Sequence, residues 1–346
     1  MFLMIQRMIG IRVDANEQIA SGHVMRCMSV ADALFSLGAD VIFFTADEYC
    51  REMVLKRGHK AVCLYSDWND KDGELEQITA ELGKYHIDVL LVDSYQVTVN
   101  YLSNLRNVVK VAYLDDMNAF DYPVDIVINY SIYAEELNYP GNKEYILGMD
   151  YVPLRKQFDI SDDRLTQSIS FRKLNKQILV MTGASDPYHM ADKVIRGILD
   201  ASELNDYGIV VIKGKFWDGS FTLDDDFSDR IRILENVENM SDVMLGCSLA
   251  VSAGGSTLYE LCACCVPTVT VSCADNQLGN VNGFAKRGIM EYAGDAWDDD
   301  IGTRVSRLLV QYHLDNDRMR SIREKMRGIG CGKGAERLAR KLCGYV

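Results

Sequence analysis

Short β-branched runs alternate with amphipathic helical runs along most of the chain, and this alternation constrains the fold more than any other feature. Strand-like runs fall at 9–14, 41–45, 62–65, 89–93, 109–114 and 126–129, then at 178–181, 208–212, 230–234, 249–252 and 268–271. Most are continuous apolar runs, the pattern of strands covered on both faces. Such alternation predicts an α/β fold with parallel sheets and crossover helices. The pattern pauses between 129 and 178, where Pro140, Pro153 and a charged segment at 159–176 replace any strong sheet signal. A chain of 346 residues is long enough for two cores. We therefore expect one domain over 1–155 and a second over 156–346, the latter ending in a helix near 315–342.

Charge and composition exclude several functions. The net charge is -13, from 37 basic and 50 acidic residues, so no nucleic-acid partner is expected. An anionic ligand would have to be met by local devices. No apolar run approaches the ~20 residues that cross a bilayer. The segment 1–5 is too short for a signal core and runs directly into a strand. A cytoplasmic protein without membrane insertion is the expectation. The cysteines sit mostly on apolar positions, and Cys262-Ala263-Cys264-Cys265 lies inside a helical pattern with no second pair at zinc spacing. Buried thiols are expected rather than a metal site.

The segment Ser21-Gly22-His23 stands out. It follows the first strand-like run and opens a helix whose apolar stripe is Val24, Cys27, Met28, Ala31, Leu34 and Phe35. Open α/β sheets bind ligands at the carboxyl ends of their strands, and an imidazole there can move a proton near neutral pH. His23 is the candidate for chemistry. Two more strand ends in this half carry acids, Asp93-Ser94-Tyr95 and Asp115-Asp116. They suit acid/base work or hydroxyl binding, and equally suit capping.

Three strand ends in the second half are polar or glycine-rich. Ser252-Ala253-Gly254-Gly255-Ser256-Thr257 leads into a helix carrying Glu260. Glycines allow close approach of a ligand, Ser256 or Thr257 can cap, and main-chain N–H groups there suit a phosphate. Met181-Thr182-Gly183-Ala184-Ser185-Asp186-Pro187 reads as a strand-to-helix turn capped at Ser185 or Asp186, with Pro187 as the first helical residue. Ser272-Cys273-Ala274-Asp275-Asn276-Gln277 offers amide groups and a cap at Asp275. No Walker A, HExxH or Gly-x-Ser-x-Gly motif is present.

Taken in order, Asp14, Gly22-His23-Val24-Met25-Arg26, Val92-Asp93-Ser94-Tyr95, Leu114-Asp115-Asp116, the 182–187 turn, Ala253-Gly254-Gly255-Ser256-Thr257 with Glu260, and Asp275-Asn276-Gln277 resemble one family. It is that of the UDP-2,4-diacetamido-2,4,6-trideoxy-β-L-altropyranose hydrolases of pseudaminic acid biosynthesis (PseG), relatives of the MurG-like GT-B glycosyltransferases. The likeness spans about residues 9–290. The chain departs from the family pattern at Thr182, where a glycine is common, and at Asp275, where a glutamate is. The resemblance implies a GT-B-like fold: two Rossmann-like domains with parallel sheets facing across a cleft, sugar on the first and UDP on the second.

It also implies roles. His23 is the base that activates water. Asp14, Gly22, Tyr95, Arg155, Asn276 and Gln277 meet the substrate. Gly183, Ser185, Gly254, Gly255, Ser256, Thr257 and Glu260 bind the nucleotide. The expected reaction is inverting attack of water at the anomeric carbon, giving UDP and free sugar. It needs no cofactor or metal, its only expected partner is the UDP-sugar, and it is compatible with a monomer. Rival readings are a GT-B glycosyltransferase, a sugar-nucleotide binding protein without catalysis and a UDP-sugar 2-epimerase.

Overall fold

A computed structural model describes residues 7–16, 19, 22–217 and 229–344. Ser21, segment 1–5 and residues 223–228 of an acidic loop lie outside them. The chain forms two compact units, Met1–Arg155 with Lys333–Val346, and Lys156–Gly332.

In the first unit, the described strands are β1 (Met8–Val13), β2 (Asp40–Thr45), β3 (Lys60–Cys63), β4 (Val89–Asp93), β5 (Lys110–Leu114), β6 (Ile126–Asn129) and β7 (Glu144–Leu147). They make one parallel sheet in the order β3-β2-β1-β4-β5-β6-β7. Connecting helices include α1 (Gly22–Ser36), α2 (Glu48–Lys56), α3 (Leu75–Tyr85) and α4 (Val99–Arg106). Side-chain caps start two of them: Asp47 accepts from Cys50 N at 2.9 Å and Thr98 from Tyr101 N at 2.9 Å. Every residue of β4 is buried, as its Val-Leu-Leu-Val-Asp sequence demands of a strand covered on both faces. Strand order reverses between β1 and β4, which opens a crevice at their carboxyl ends.

The second unit repeats the plan. Its described strands are β8 (Gln177–Met181), β9 (Gly208–Ile212), β10 (Ile231–Leu234), β11 (Leu249–Ala253), β12 (Thr268–Ser272) and β13 (Glu291–Asp295). They pair in parallel in the order β10-β9-β8-β11-β12-β13, with the reversal between β8 and β11. Its helices include α5 (Asp162–Leu174), α6 (Met190–Asp200), α7 (Met240–Gly246), α8 (Thr257–Ala263), α9 (Leu278–Lys286), α10 (Ile301–Leu314) and α11 (Asn316–Ile329).

The last helix corrects an expectation. α12 (Gly334–Cys343) belongs to the first unit and packs on α1, instead of completing the second domain. It buries Leu338, Ala339 and Leu342, and Gly334 fits against the Val152 carbonyl, 2.1 Å from where a Cβ would stand. Helical periodicity reveals an apolar face but not which sheet that face covers. Strands β7 and β13 have no counterpart in the sequence reading. Both are edge strands, and each begins on a glutamate and is only partly buried, so neither produces a continuous apolar run. The cysteines are free thiols, with Cys63 and Cys273 partly exposed and the others buried. Among the described residues no helix is long and apolar enough to cross a membrane.

Candidate active site

His23 is the second residue of α1, just past the carboxyl end of β1, and Asp93 ends β4, the strand across the order reversal. The topology therefore brings them together. His23 Nδ1 lies 2.6 Å from Asp93 Oδ1. Arg26, one helical turn after His23, grips the same carboxylate twice, from Nε to Oδ2 and from Nη2 to Oδ1, each at 2.6 Å. Arg26 Nη1 also donates to Asp116 Oδ2 at 3.1 Å and to the Tyr130 hydroxyl at 2.8 Å. The Cys27 thiol donates to Asp93 Oδ2 at 3.3 Å.

Asp93 is fully buried. Burial alone would raise its carboxyl pKa. The Arg26 charge, His23 and their hydrogen bonds overcome that and hold it well below the ordinary range. An ionised Asp93 accepts the Nδ1 proton of His23, so the Nε2 lone pair is the ring's acceptor. Arg26 Nη2 is 3.1 Å from Nδ1. Both atoms carry protons, so that approach is not a hydrogen bond. Tyr95 stands edge-on to the imidazole with ring centroids 4.7 Å apart, and its hydroxyl donates to Asp116 Oδ2 at 2.9 Å. The other Asp116 oxygen, Oδ1, is buried and accepts no hydrogen bond from the described residues.

Other first-unit candidates fall differently. Asp14 was expected at the substrate, but its carboxylate is enclosed and saturated. It accepts from Arg12 Nη1 at 2.6 Å, Lys71 Nζ at 2.6 Å and Ala46 N at 2.7 Å. Glu74 completes that buried ion cluster by clasping Arg12 through both oxygens at 2.6 Å. Asp115 is equally committed, to the Met117 and Asn118 amides and the hydroxyls of Tyr122 and Tyr139. Gly22 is exposed at the start of α1. Arg155 closes the first unit's main segment.

In the second unit, one cavity of about 230 Å3 gathers all three polar strand ends, following β8, β11 and β12. Gly183, Ser185, Gly255, Thr257 and Gln277 line it, with Thr182 and Cys273. Gly183 holds φ +99, a conformation that favours glycine. The Thr182 hydroxyl is buried without a partner among the described residues.

Four expectations about these strand-to-helix turns are corrected. Gly254 was expected to offer its N–H to a diphosphate, but that N–H donates to Gln277 Oε1 at 3.0 Å, as does Cys273 N at 3.0 Å. Gln277 thus staples two strand ends together. Ser256 precedes α8 in a helical conformation and makes no side-chain cap, and Asp275 makes none either. Pro187 does not open a helix. α6 starts at Met190, and Asp186 caps it with both oxygens, at 2.8 Å from Met190 N and 2.9 Å from Ala191 N. Asn276 is exposed in the turn before α9, and Glu260 is partly exposed on α8. Neither lines the cavity.

Arg26 and Tyr130 escaped the sequence reading as site residues, whereas Asp116 was among the strand-end acids it named. Arg26 carries a usable signal, since three residues on from His23 is the same helical face. Tyr130 joins only through the order of β4, β5 and β6.

No known protein-family profile matches the chain. Over 282 residues it is 28% identical to an uncharacterised protein of Methanocaldococcus jannaschii, covering 76% of this chain and 55% of that protein. The chain thus spans about half the length of that relative. Over 317 residues it is 23% identical to the spore coat polysaccharide biosynthesis protein SpsG of Bacillus subtilis, covering 88% of this chain and 90% of SpsG. Among solved structures, the calicheamicin glycosyltransferase CalG4 matches with a TM-score of 0.68 at 13% identity, over 99% of this chain and 98% of that one. The fold is GT-B-like. Two Rossmann-like units with parallel sheets, each reversing strand order at its centre, are the architecture that this likeness shares.

Proposed function

We propose that the protein hydrolyses a UDP-linked 2,4-diacetamido-2,4,6-trideoxy hexose to UDP and free sugar, a step in making pseudaminic acid. The observation that supports this most is the 2.6 Å contact of His23 with Asp93, which leaves Nε2 as a lone-pair acceptor at a ligand-binding sheet edge. Water attacks the anomeric carbon while His23 Nε2 takes its proton. The bond from that carbon to the diphosphate oxygen breaks, and its electron pair leaves with UDP. Single displacement inverts the anomeric configuration. Asp93 and Asp116 outnumber Arg26 by one charge, so the imidazolium formed meets a compensating carboxylate.

In this reading Tyr95 and the unpartnered Asp116 Oδ1 meet the sugar, the latter accepting from a hydroxyl or an acetamido N–H. The cavity lined by Gly183, Ser185, Gly255 and Thr257 holds the diphosphate, and the Thr182 hydroxyl gains its missing partner there. Glu260 receives ribose hydroxyls. The Gln277 oxygen is occupied, so Gln277 acts through its amide N–H groups. Arg155, Asn276, Gly22 and Ser256 are substrate or nucleotide contacts carried by the family resemblance.

The similarity to SpsG, whose name places it in polysaccharide biosynthesis, favours a sugar-nucleotide substrate. The fold likeness to a glycosyltransferase favours a second reading, in which the same imidazole deprotonates an acceptor hydroxyl and passes the sugar on. The test is an NMR time course with candidate UDP-diacetamido sugars in 18O-labelled water. Hydrolysis at the anomeric carbon puts the label in the sugar and none in UDP. Turnover that appears only when an acceptor sugar is added supports the transferase instead.

A further inference from the structure

The second unit has another concave site, at the amino end of its sheet, opposite the strand ends that form the diphosphate cavity. It is a cavity of about 750 Å3 beneath α5, α10 and α11, reaching Lys176, Tyr207 and Ser248, which immediately precede β8, β9 and β11. Its lining includes Arg172, Lys173, Lys176, Arg320, Arg323 and Arg327, against Glu324 as the acidic side chain. In a chain of net charge -13 this is a strong local inversion of sign.

The cations are incompletely neutralised. Arg172 is buried, and its Nε, Nη1 and Nη2 donate to the main-chain carbonyls of Leu245, Cys265 and Cys264, each at 2.9 Å. No carboxylate is among these partners, and burial pulls its guanidinium down to about 10. Arg323 Nε is buried with no hydrogen-bond partner among the described residues. Three of the others pair outward: Lys176 with Asp206 at 3.2 Å, Arg320 with Asp317 at 3.5 Å and Arg327 with Asp162 at 3.7 Å. Asp162, Asp206 and Asp317 are largely solvent-exposed, so these bonds are weak and readily exchanged. The remaining walls are Tyr207, with its hydroxyl 3.2 Å from His313 Nδ1, and the rings and chains of Tyr312, Ile169 and Met319.

We infer that this cavity binds a phosphorylated small molecule carrying at least two negative charges, as a site separate from the substrate. Arg172 holds its donors fixed and supplies field, while Arg323, Lys173 and Arg320 supply the contacting N–H groups. The aromatic and aliphatic walls accept an apolar or ring portion. The volume lies within the ordinary range for small-molecule sites. A concave pocket in an otherwise acidic protein suits a small anion better than a polyanionic surface.

The test is calorimetric titration of the full chain with inorganic pyrophosphate, the three substitutions below distinguishing this cavity from the one at the carboxyl edge. Saturable binding is expected, weakened at least tenfold by R323Q and several-fold by the exposed-residue variant K173Q, and tightened by E324Q. K173Q guards against misfolding of R323Q. No binding, or binding that ignores all three substitutions, overturns the assignment. So does binding confined to anionic phospholipid vesicles or to nucleic acid, with none to pyrophosphate.

Discussion

Asp93 Oδ1 accepts from both His23 and Arg26, at 2.6 Å each, although the histidine and the carboxylate stand 70 residues apart. The bidentate guanidinium fixes the carboxylate, and the carboxylate fixes the imidazole tautomer. His23 is therefore aimed before any substrate arrives. Substituting His23→Asn keeps a hydrogen-bonding group toward Asp93 but removes the proposed base. Turnover is expected to fall about 10²–10⁴-fold. The Kd for UDP-sugar, measured by calorimetry, is expected to stay within a few-fold of wild type. A loss of affinity as large as the loss of kcat would remove the base role.

Asp93 also ties this site to stability. Its folded pKa lies below the ~3.9 of a free aspartate. Its contribution to stability is thus complete above that value and is lost as pH falls through the lower folded one. Asp93→Asn takes the bidentate partner from a mostly enclosed guanidinium, which keeps only its contacts to Asp116 and the Tyr130 hydroxyl, at a cost of about 3 kcal/mol at neutral pH. Urea titrations from pH 6 down to pH 3 are expected to show a gap between wild type and D93N that is constant at the upper end and begins to narrow below about pH 4, where the unfolded aspartate protonates. A constant gap across that range would show that the ion pair is not what the variant loses.

The two glycines of the turn after β11 should separate cleanly. A Cβ at Gly254 would stand 2.6 Å from Val281 Cγ1 and 2.9 Å from Gln277 Cβ, whereas at Gly255 it meets nothing within 4 Å. Gly254→Ala is expected to cost about 1–3 kcal/mol through overpacking. Gly255→Ala is expected to change stability by less than about 0.5 kcal/mol and to weaken UDP binding instead, because Gly255 lines the cavity. Thermal unfolding and UDP titration of both variants decide it. Equal stability of the two would contradict the packing described here.

Much of this architecture is written in the order of residues. Continuous apolar runs such as Val89-Leu90-Leu91-Val92 announce strands buried on both sides, and a polar residue following each run marks a carboxyl edge. What sequence order does not encode is which edges become neighbours. Asp93 and Asp115 look alike as acids at strand ends. One meets His23 across the reversal of strand order, while the other is absorbed by two tyrosines and its own turn. Asp14 is likewise indistinguishable from a ligand-facing acid until Lys71 and Arg12 close around it. α12 and the edge strands β7 and β13 depend on tertiary partners in the same way.

Thr182 gives the sharpest test of the second-unit cavity, because its two effects should have opposite signs. Its hydroxyl is buried on the cavity wall, with no partner among the described residues. Replacing Thr182→Val removes an unsatisfied polar group at nearly constant volume, so the unliganded protein is expected to gain about 1 kcal/mol. If the hydroxyl waits for a diphosphate oxygen, the same change weakens UDP binding by roughly three- to tenfold. Cys273, on the same wall, provides an independent reading. Burial pushes its thiol up to about 11, so alkylation is slow at neutral pH and accelerates toward pH 10. UDP is expected to protect Cys273 in wild type, measured by peptide mass spectrometry, and to protect it less in T182V at equal UDP concentration. Protection that is absent in wild type would place the nucleotide elsewhere.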